Sequence, residues 1–319
     1  MTKIVIIEPG YQDYESEKKV LSDFNPNFVV IKQGTDKKEM LNTLQDADAV
    51  MVREAVIDKE IIDSLKQCKV IVRYGVGVDN INLDYAKTKG IKVANVPDYG
   101  SEGVAEHALA LLLAATRRVV TRDYDVRHGI WGVGQLEPIP RIFGKNLGVI
   151  GFGRIAKCFI NKAKGLGFKN IFVTDPLLSK ETAEQFGVVK TDLDTICKKS
   201  DFISIHVPLL PNTKHMIDAS KLALMKKMTV IVNAGRGGIV EEKALANALK
   251  DRQIFAAGID TFEEEPVCTS NELLKLKNTV VSDHNAWYTQ ESVVELQTKG
   301  AQEVLRVLNG NEPIHWVNK

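Results

Sequence analysis

Cysteine is scarce in this chain. Only Cys68, Cys158, Cys197 and Cys268 occur among 319 residues, widely spaced and with no CxxC pair. That arithmetic excludes a disulfide framework and a zinc ribbon, and it favours a reducing compartment. An excess of one charge is also missing: 42 Lys and Arg stand against 41 Asp and Glu, for a net charge of +1. Nothing in that balance provides an electrostatic footprint for nucleic acid or an anionic membrane. Long apolar runs are absent, since the longest, residues 108–115, falls far short of the roughly 18 residues of a membrane span. The N-terminus, MTKIVIIEP, enters a strand-like run at once and lacks the apolar stretch and small-residue cleavage site of a signal peptide. Proline is limited to 10 residues and no repeat recurs at a fixed period, which excludes collagen-like, low-complexity and solenoid architectures. These absences point to a cytoplasmic globular protein with small-molecule or protein partners, no nucleic acid, no membrane and no metal.

What is present is α/β patterning on a two-domain scale. A chain of this length is about twice a common single domain. Short apolar, β-branched runs at 4–7, 28–31, 49–52, 70–72 and 91–94 alternate with helical stretches, and a second series follows at 147–150, 171–174, 202–205, 230–232, 256–259 and 279–281. Continuous rather than alternating apolar runs mark strands buried on both faces of a parallel sheet. Eleven such strands predict an α/β protein with two doubly wound parallel-sheet domains. The boundary is expected at 95–101 (NVPDYGS), just before an almost wholly apolar helix over 104–116. Residues 129–144, carrying Trp131, Pro138 and Pro140, have poor periodicity and read as an extended arm. A last helix is predicted over 291–308, ending at Asn309-Gly310.

One segment has the full context of a dinucleotide-binding turn. Leu147-Gly-Val-Ile-Gly151-Phe-Gly153-Arg154-Ile155-Ala156 is a strand, a GxGxxA turn and a helix start, and a second strand ends at Asp175, 19 residues beyond Ala156. Gly151 permits the tight turn, and Gly153 lets the backbone approach a pyrophosphate. Ala156 allows close packing, while the helix opening at Arg154 and Ile155 offers free amides and a positive dipole end. Asp175 suits the ribose hydroxyls and repels a 2′-phosphate, and neither Pro176 nor Leu177 compensates, so NAD is favoured over NADP.

Three polar features follow predicted strands in the second half. Arg236 stands between glycines in Gly235-Arg236-Gly237-Gly238, where a guanidinium can grip a carboxylate in bidentate fashion. Glu263, Glu264 and Glu265 precede Pro266, and His284 follows Asp283. A carboxylate paired with a histidine holds the imidazole in one tautomer and raises its proton affinity. Taken singly, each also reads as a surface arginine in a turn, a solvated acidic run, or a structural histidine. Together they suit reduction of an oxo acid.

These motifs resemble the NAD-dependent D-isomer-specific 2-hydroxyacid dehydrogenases, a family that includes D-lactate, D-glycerate and 3-phosphoglycerate dehydrogenases and the C-terminal-binding proteins. The resemblance runs along essentially the whole chain, through GFGRIA, SDFISIHVPL with Asn212-Thr213, NAGRGGIV, GIDTFEEEP and HNAWY. It implies a flavodoxin-like substrate domain from residues 1–100 plus 288–319, and a Rossmann NAD-binding domain at 101–287 with a dimerisation arm near 120–144. It further implies that Arg236 grips the substrate's carboxylate and oxo group, that His284 is the acid/base, and that Glu265, directly before the proline, is its partner. Asp260 would bind the nicotinamide carboxamide, and Val207, Pro208, Asn212 and Ala234 would line the cofactor. The loop Gly75-Val76-Gly77 would bind the substrate carboxylate through backbone amides. Trp287 would face the substrate pocket and Tyr99 would stand near it.

The implied activity is reversible reduction of a 2-oxo acid to a D-2-hydroxy acid by a homodimer. The alternative is an NAD(H)-sensing dimer that recruits protein partners, as the C-terminal-binding proteins do. One departure is Asp283, where the family usually has proline. Glu265 disfavours formate as substrate, because formate dehydrogenases have an amide there, and Val76 disfavours phosphite. Arg53 resembles a phosphate-binding residue of the phosphoglycerate enzymes, but Glu54 beside it is unfavourable to an anion, which points away from a phosphorylated substrate.

Overall fold

The computed structural model describes residues 2–8, 10–132 and 138–319. Two compact units emerge, one from the chain up to Gly100 together with Thr289–Lys319, the other from Ser101–Tyr288.

The first unit is built on a five-stranded sheet of β1 (Lys3–Ile7), β2 (Asn27–Ile31), β3 (Ala49–Val52), β4 (Val70–Arg73) and β5 (Lys92–Ala94). The order is β2-β1-β3-β4-β5 and every pairing is parallel. Ile4 to Ile7 and Ala49 to Val52 are all fully buried, as central strands covered on both faces must be. Val5, Ile7, Val50, Val52, Ile71 and Val93 share one core with Leu44, Ile57 and Ile61. The opposite face carries Met51 and Tyr74, against which the Gln290–Leu308 helix packs through Gly300; a side chain at 300 would meet the Met51 methyl at 3.1 Å. Short polar side chains start the helices: Asp36, Asp58, Asn82 and Thr289 each accept from a first-turn amide.

The second unit holds seven parallel strands: β6 (Asn146–Ile150), β7 (Asn170–Thr174), β8 (Val189–Lys190), β9 (Phe202–Ile205), β10 (Val230–Asn233), β11 (Ala256–Ile259) and β12 (Thr279–Val281). Their order is β12-β11-β10-β9-β6-β7-β8. The two-residue β8 is absent from the sequence-based reading because both its residues are exposed and form no apolar run. The Ser101–Arg117 helix lies on this sheet with Val104, Ala105, Ala108, Leu111, Leu112 and Ala115 buried. It comes so close to β11 that a Cβ at Gly258 would sit 2.9 Å from that of Leu111.

Strand order reverses between β6 and β9. Open α/β sheets bind their ligands at the carboxyl ends of the strands beside such a reversal. Gly151, His206, Ala234, Asp260 and Ser282 all follow carboxyl ends of strands in this unit. The segment expected as an arm begins as a helix, Val119–Arg127, entered through Arg118 at φ +59°. Residues 130–132 and 138–142 carry no helix or strand, and 133–137 lie outside the described residues.

Candidate active site

The turn after β6 fits a dinucleotide. Gly151 has φ +100°, and a Cβ there would approach the His206 carbonyl oxygen at 2.5 Å, so glycine is required by both conformation and space. Gly153 is the N-cap of the Arg154–Ala163 helix and provides no side-chain cap. A Cβ added at Gly153 would meet nothing within 4 Å. Open space in front of uncapped helix amides is what an incoming pyrophosphate needs. Ala156 is fully buried, Ile155 packs against the core and Arg154 is exposed.

The half-buried Asp175, just past β7, is tied to the same turn. Its Oδ2 accepts from the Phe152 amide at 2.7 Å and its Oδ1 from the Leu177 amide at 2.8 Å. The carboxylate is thereby held at the glycine turn, where ribose hydroxyls would donate to its remaining lone pairs. Val207 is half-buried and packs against the core, Ala234 is buried, and Pro208 and Asn212 are exposed. No cluster of three metal-ligating side chains occurs among the described residues.

Arg236 is positioned by the end of β10. Asn233, 2% exposed, accepts from the Gly235 amide through Oδ1 at 3.1 Å and donates through Nδ2 to the Arg236 carbonyl at 2.8 Å. The Arg236 guanidinium donates from Nη1 to the Gly235 carbonyl at 2.9 Å. Gly237 runs directly against the neighbouring loop, since a Cβ there would fall 1.7 Å from the Phe262 carbonyl oxygen. That contact brings the arginine turn beside the segment bearing Glu265. The same segment is braced further by Glu263 and Glu242, which accept from each other's backbone amides.

Glu265 precedes a cis peptide to Pro266. Its Oε1 accepts from the Phe262 amide at 2.9 Å and its Oε2 lies 2.6 Å from His284 Nδ1. Burial pushes the Glu265 carboxyl up, but the hydrogen bonds from His284 and Phe262 and the charges of His284 and Arg236 outweigh it, leaving the group below the ordinary carboxylate range. An ionised carboxylate only accepts, so Nδ1 of His284 carries the proton. Nε2 is then the nitrogen left for chemistry, on a side chain 35% exposed.

The backbone at His284 has φ +55°, an unusual conformation for a non-glycine residue. Asp260 holds it there. The Asp260 carbonyl accepts from the His284 amide at 2.8 Å, while Oδ1 accepts from Asn285 at 3.1 Å and Oδ2 from Ala286 at 3.2 Å. Asp260 is fully buried. Beside the cofactor role that the resemblance implies, it therefore clamps the histidine loop. Asp283 and Tyr288 are exposed; Trp287 is half-buried against the core and meets Tyr288 edge-to-face at 5.6 Å.

In the first unit, the loop after β4 begins with Gly75 at φ +141°, where a Cβ would collide with the Arg73 guanidinium at 1.5 Å. The Asn95 side-chain amide donates to the Val76 carbonyl at 2.6 Å, and the Gly75 carbonyl accepts from the Val96 amide at 3.0 Å. Behind the loop the buried Tyr74 hydroxyl donates to Glu17 at 2.6 Å. Tyr99 is buried in this unit, 9% exposed.

Asn233, Ser282 and His107 serve these loops and were not singled out from the sequence. Asn233 and Ser282 stand just past the predicted strands 230–232 and 279–281, with nothing local to mark them. Glu106-His107 did offer a signal, a polar pair interrupting an apolar helix.

Residues 109–286 match the family described as D-isomer specific 2-hydroxyacid dehydrogenase, NAD binding domain. The chain is 40% identical to D-3-phosphoglycerate dehydrogenase of Methanocaldococcus jannaschii, with 100% of this chain and 60% of that protein aligned. It is 38% identical to glyoxylate reductase of Thermococcus litoralis, over 88% of this chain and 86% of that protein. This chain thus spans less than two thirds of the first relative and most of the second. Among solved structures, D-lactate dehydrogenase from Aquifex aeolicus complexed with NAD and lactic acid has a TM-score of 0.85 at 27% identity, covering 97% of this chain and 96% of that one.

Proposed function

The chain belongs to the D-isomer specific 2-hydroxyacid dehydrogenase family, and on that premise we propose that it is an NAD-dependent oxidoreductase interconverting a 2-oxo acid and a D-2-hydroxy acid. The observation that carries this reading is the 2.6 Å contact of His284 Nδ1 with Glu265, on a loop in backbone contact with the Arg236 turn. Relatives named as dehydrogenases and a reductase weigh for an enzyme and against the partner-recruiting alternative, which is set aside.

Gly151, Gly153 and Asp175, with Val207, Pro208, Asn212, Ala234 and Asp260, would hold NAD(H), which when bound would supply or accept the hydride. Arg236 pairs with the substrate carboxylate and its oxo group, drawing electron density onto the oxygen. In the first unit, the backbone amides of Gly75, Val76 and Gly77 are the carboxylate-binding group that the family resemblance implies. Protonated His284 gives its Nε2 proton to the developing alkoxide, and Glu265 keeps the ring in the tautomer and orientation that transfer requires. In the oxidative direction neutral His284 takes the hydroxyl proton back, and the adjacent carboxylate stabilises the imidazolium that results. Trp287 faces the side-chain end of the substrate.

Two further parts of the reading concern assembly and location. The 119–131 segment exposes Val119, Val120, Tyr124, Val126 and Trp131, the last 84% exposed. Apolar surface of this extent supports a homodimer formed through that segment. Four free thiols support a cytoplasmic, reducing location.

The test is NADH oxidation by purified protein against pyruvate, hydroxypyruvate, glyoxylate, 2-oxoisocaproate, phenylpyruvate and 3-phosphohydroxypyruvate. Turnover of one of them to a D-product supports the reading and identifies the side chain accepted. Silence across the panel with NADH bound overturns it.

A further inference from the structure

His107 lies on the Ser101–Arg117 helix, outside every residue assigned above to substrate or cofactor. Its Nε2 is 2.8 Å from Ser282 Oγ and 3.5 Å from Asp260 Oδ1. Ser282 Oγ is itself 2.7 Å from the same Asp260 oxygen. A serine hydroxyl has one proton to give. Asp260 already acts as an acceptor toward the amides of Asn285 and Ala286, so the Ser282 proton points to Asp260 and His107 Nε2 must be the donor to Ser282. The geometry thus fixes the tautomer of His107 and a directed chain from His107 through Ser282 to Asp260.

The far end of that chain is the clamp on His284. Asp260 can hold the amides at 285 and 286 only while its carboxylate stays in one rotamer, and those amides follow the left-handed residue His284. Ser282 pins Oδ1 of that carboxylate, and His107 pins Ser282 by filling its acceptor site. Without His107 the hydroxyl is free to rotate away, the carboxylate loses its fixed side, and the strained backbone at 284 can relax. A displacement of about 1 Å at a reacting group costs on the order of 100-fold in rate.

We infer that His107, acting through Ser282, is a positioning residue that fixes Asp260 and thereby the backbone carrying the His284 imidazole. This rests on the reading of His284 as the proton donor, so its test has one arm that needs no turnover. Amide hydrogen exchange is measured on the cofactor-free protein, and steady-state kinetics on whichever oxo acid of the panel is turned over, for His107→Ala, His107→Gln, Ser282→Ala and the His107→Ala/Ser282→Ala pair.

The expected result is that exchange at Asn285 and Ala286 quickens about tenfold in His107→Ala, while kcat falls about tenfold and the oxo-acid KM stays within about twofold. Glutamine keeps an Nε2 donor and restores both readouts to within about threefold of wild type. Ser282→Ala reproduces the loss, and the double variant adds nothing to it, because both act on one chain. If His107→Ala does not fold, Ser282→Ala and His107→Gln carry the same comparison. Unchanged exchange at 285 and 286, additive losses in the double variant, or a glutamine variant as impaired as alanine overturns the inference. A wild-type protein that reduces no oxo acid refutes the catalytic reading, and the exchange arm still judges the positioning role.

Discussion

Glu265 and His284 meet through Oε2 and Nδ1 at 2.6 Å, although 18 residues separate them in sequence and each sits on a different loop past the sheet. Each of these loops is held in place by a backbone contact. Phe262 fixes the glutamate loop by donating its amide to Oε1, and Asp260 fixes the histidine loop through three successive amides. The pair is therefore built before any substrate arrives, which lowers the reorganisation needed for proton transfer.

Two glycines of the cofactor turn separate folding from binding. Gly151→Ala places a Cβ 2.5 Å from the His206 carbonyl at φ +100°, and we predict a loss of roughly 1–3 kcal/mol of stability, seen as a lower melting temperature. Gly153→Ala meets nothing within 4 Å and has φ −72°, so the fold is retained. The added methyl instead occupies the space for the pyrophosphate, and NADH affinity measured by fluorescence titration should fall at least tenfold with the melting temperature unchanged.

Asp175 should govern the choice between dinucleotides. Replacing it with Asn removes the charge that opposes a 2′-phosphate. The expected outcome is a rise of about tenfold or more in the ratio of kcat/KM for NADPH over NADH, measured with one oxo acid at a fixed ionic strength.

Much of this was legible in the sequence for a simple reason. Strands buried on both faces must be continuous apolar runs, so 49–52, 202–205, 256–259 and 279–281 coincide with β3, β9, β11 and β12. The glycine turn was legible because a pyrophosphate site needs its residues consecutively. What stayed hidden lacks such local marks. The Val119–Arg127 helix follows a left-handed Arg118 and carries its apolar residues outward, so no buried stripe announces it. Asp260 was named from the sequence, but its link to Ser282 and His107 was not, because the three come from different elements and only the sheet order brings them together.

Acid should destabilise the protein in two windows. Burial pushes the His206 imidazole down to about 3, whereas an unfolded histidine titrates near 6.5. Between those values the unfolded state binds the extra proton, so stability falls as pH drops from about 6.5 toward about 3. Glu265 acts later. Its lowered pKa contributes stability that is complete above the ordinary carboxylate range and is lost as pH falls through the depressed value. Melting curves across pH should show the first component vanish in His206→Gln and the second in Glu265→Gln. Imidazole NMR should show His206 neutral throughout pH 5 to 8.

The central claim is that His284 is the proton donor, oriented by Glu265. The most direct test is kcat for 2-oxo acid reduction by wild type and His284→Ala, with NADH affinity measured on both. We predict that the variant binds NADH within about threefold of wild type and loses on the order of 100- to 10,000-fold in kcat. A His284→Ala protein that reduces the oxo acid at the wild-type rate would contradict the account.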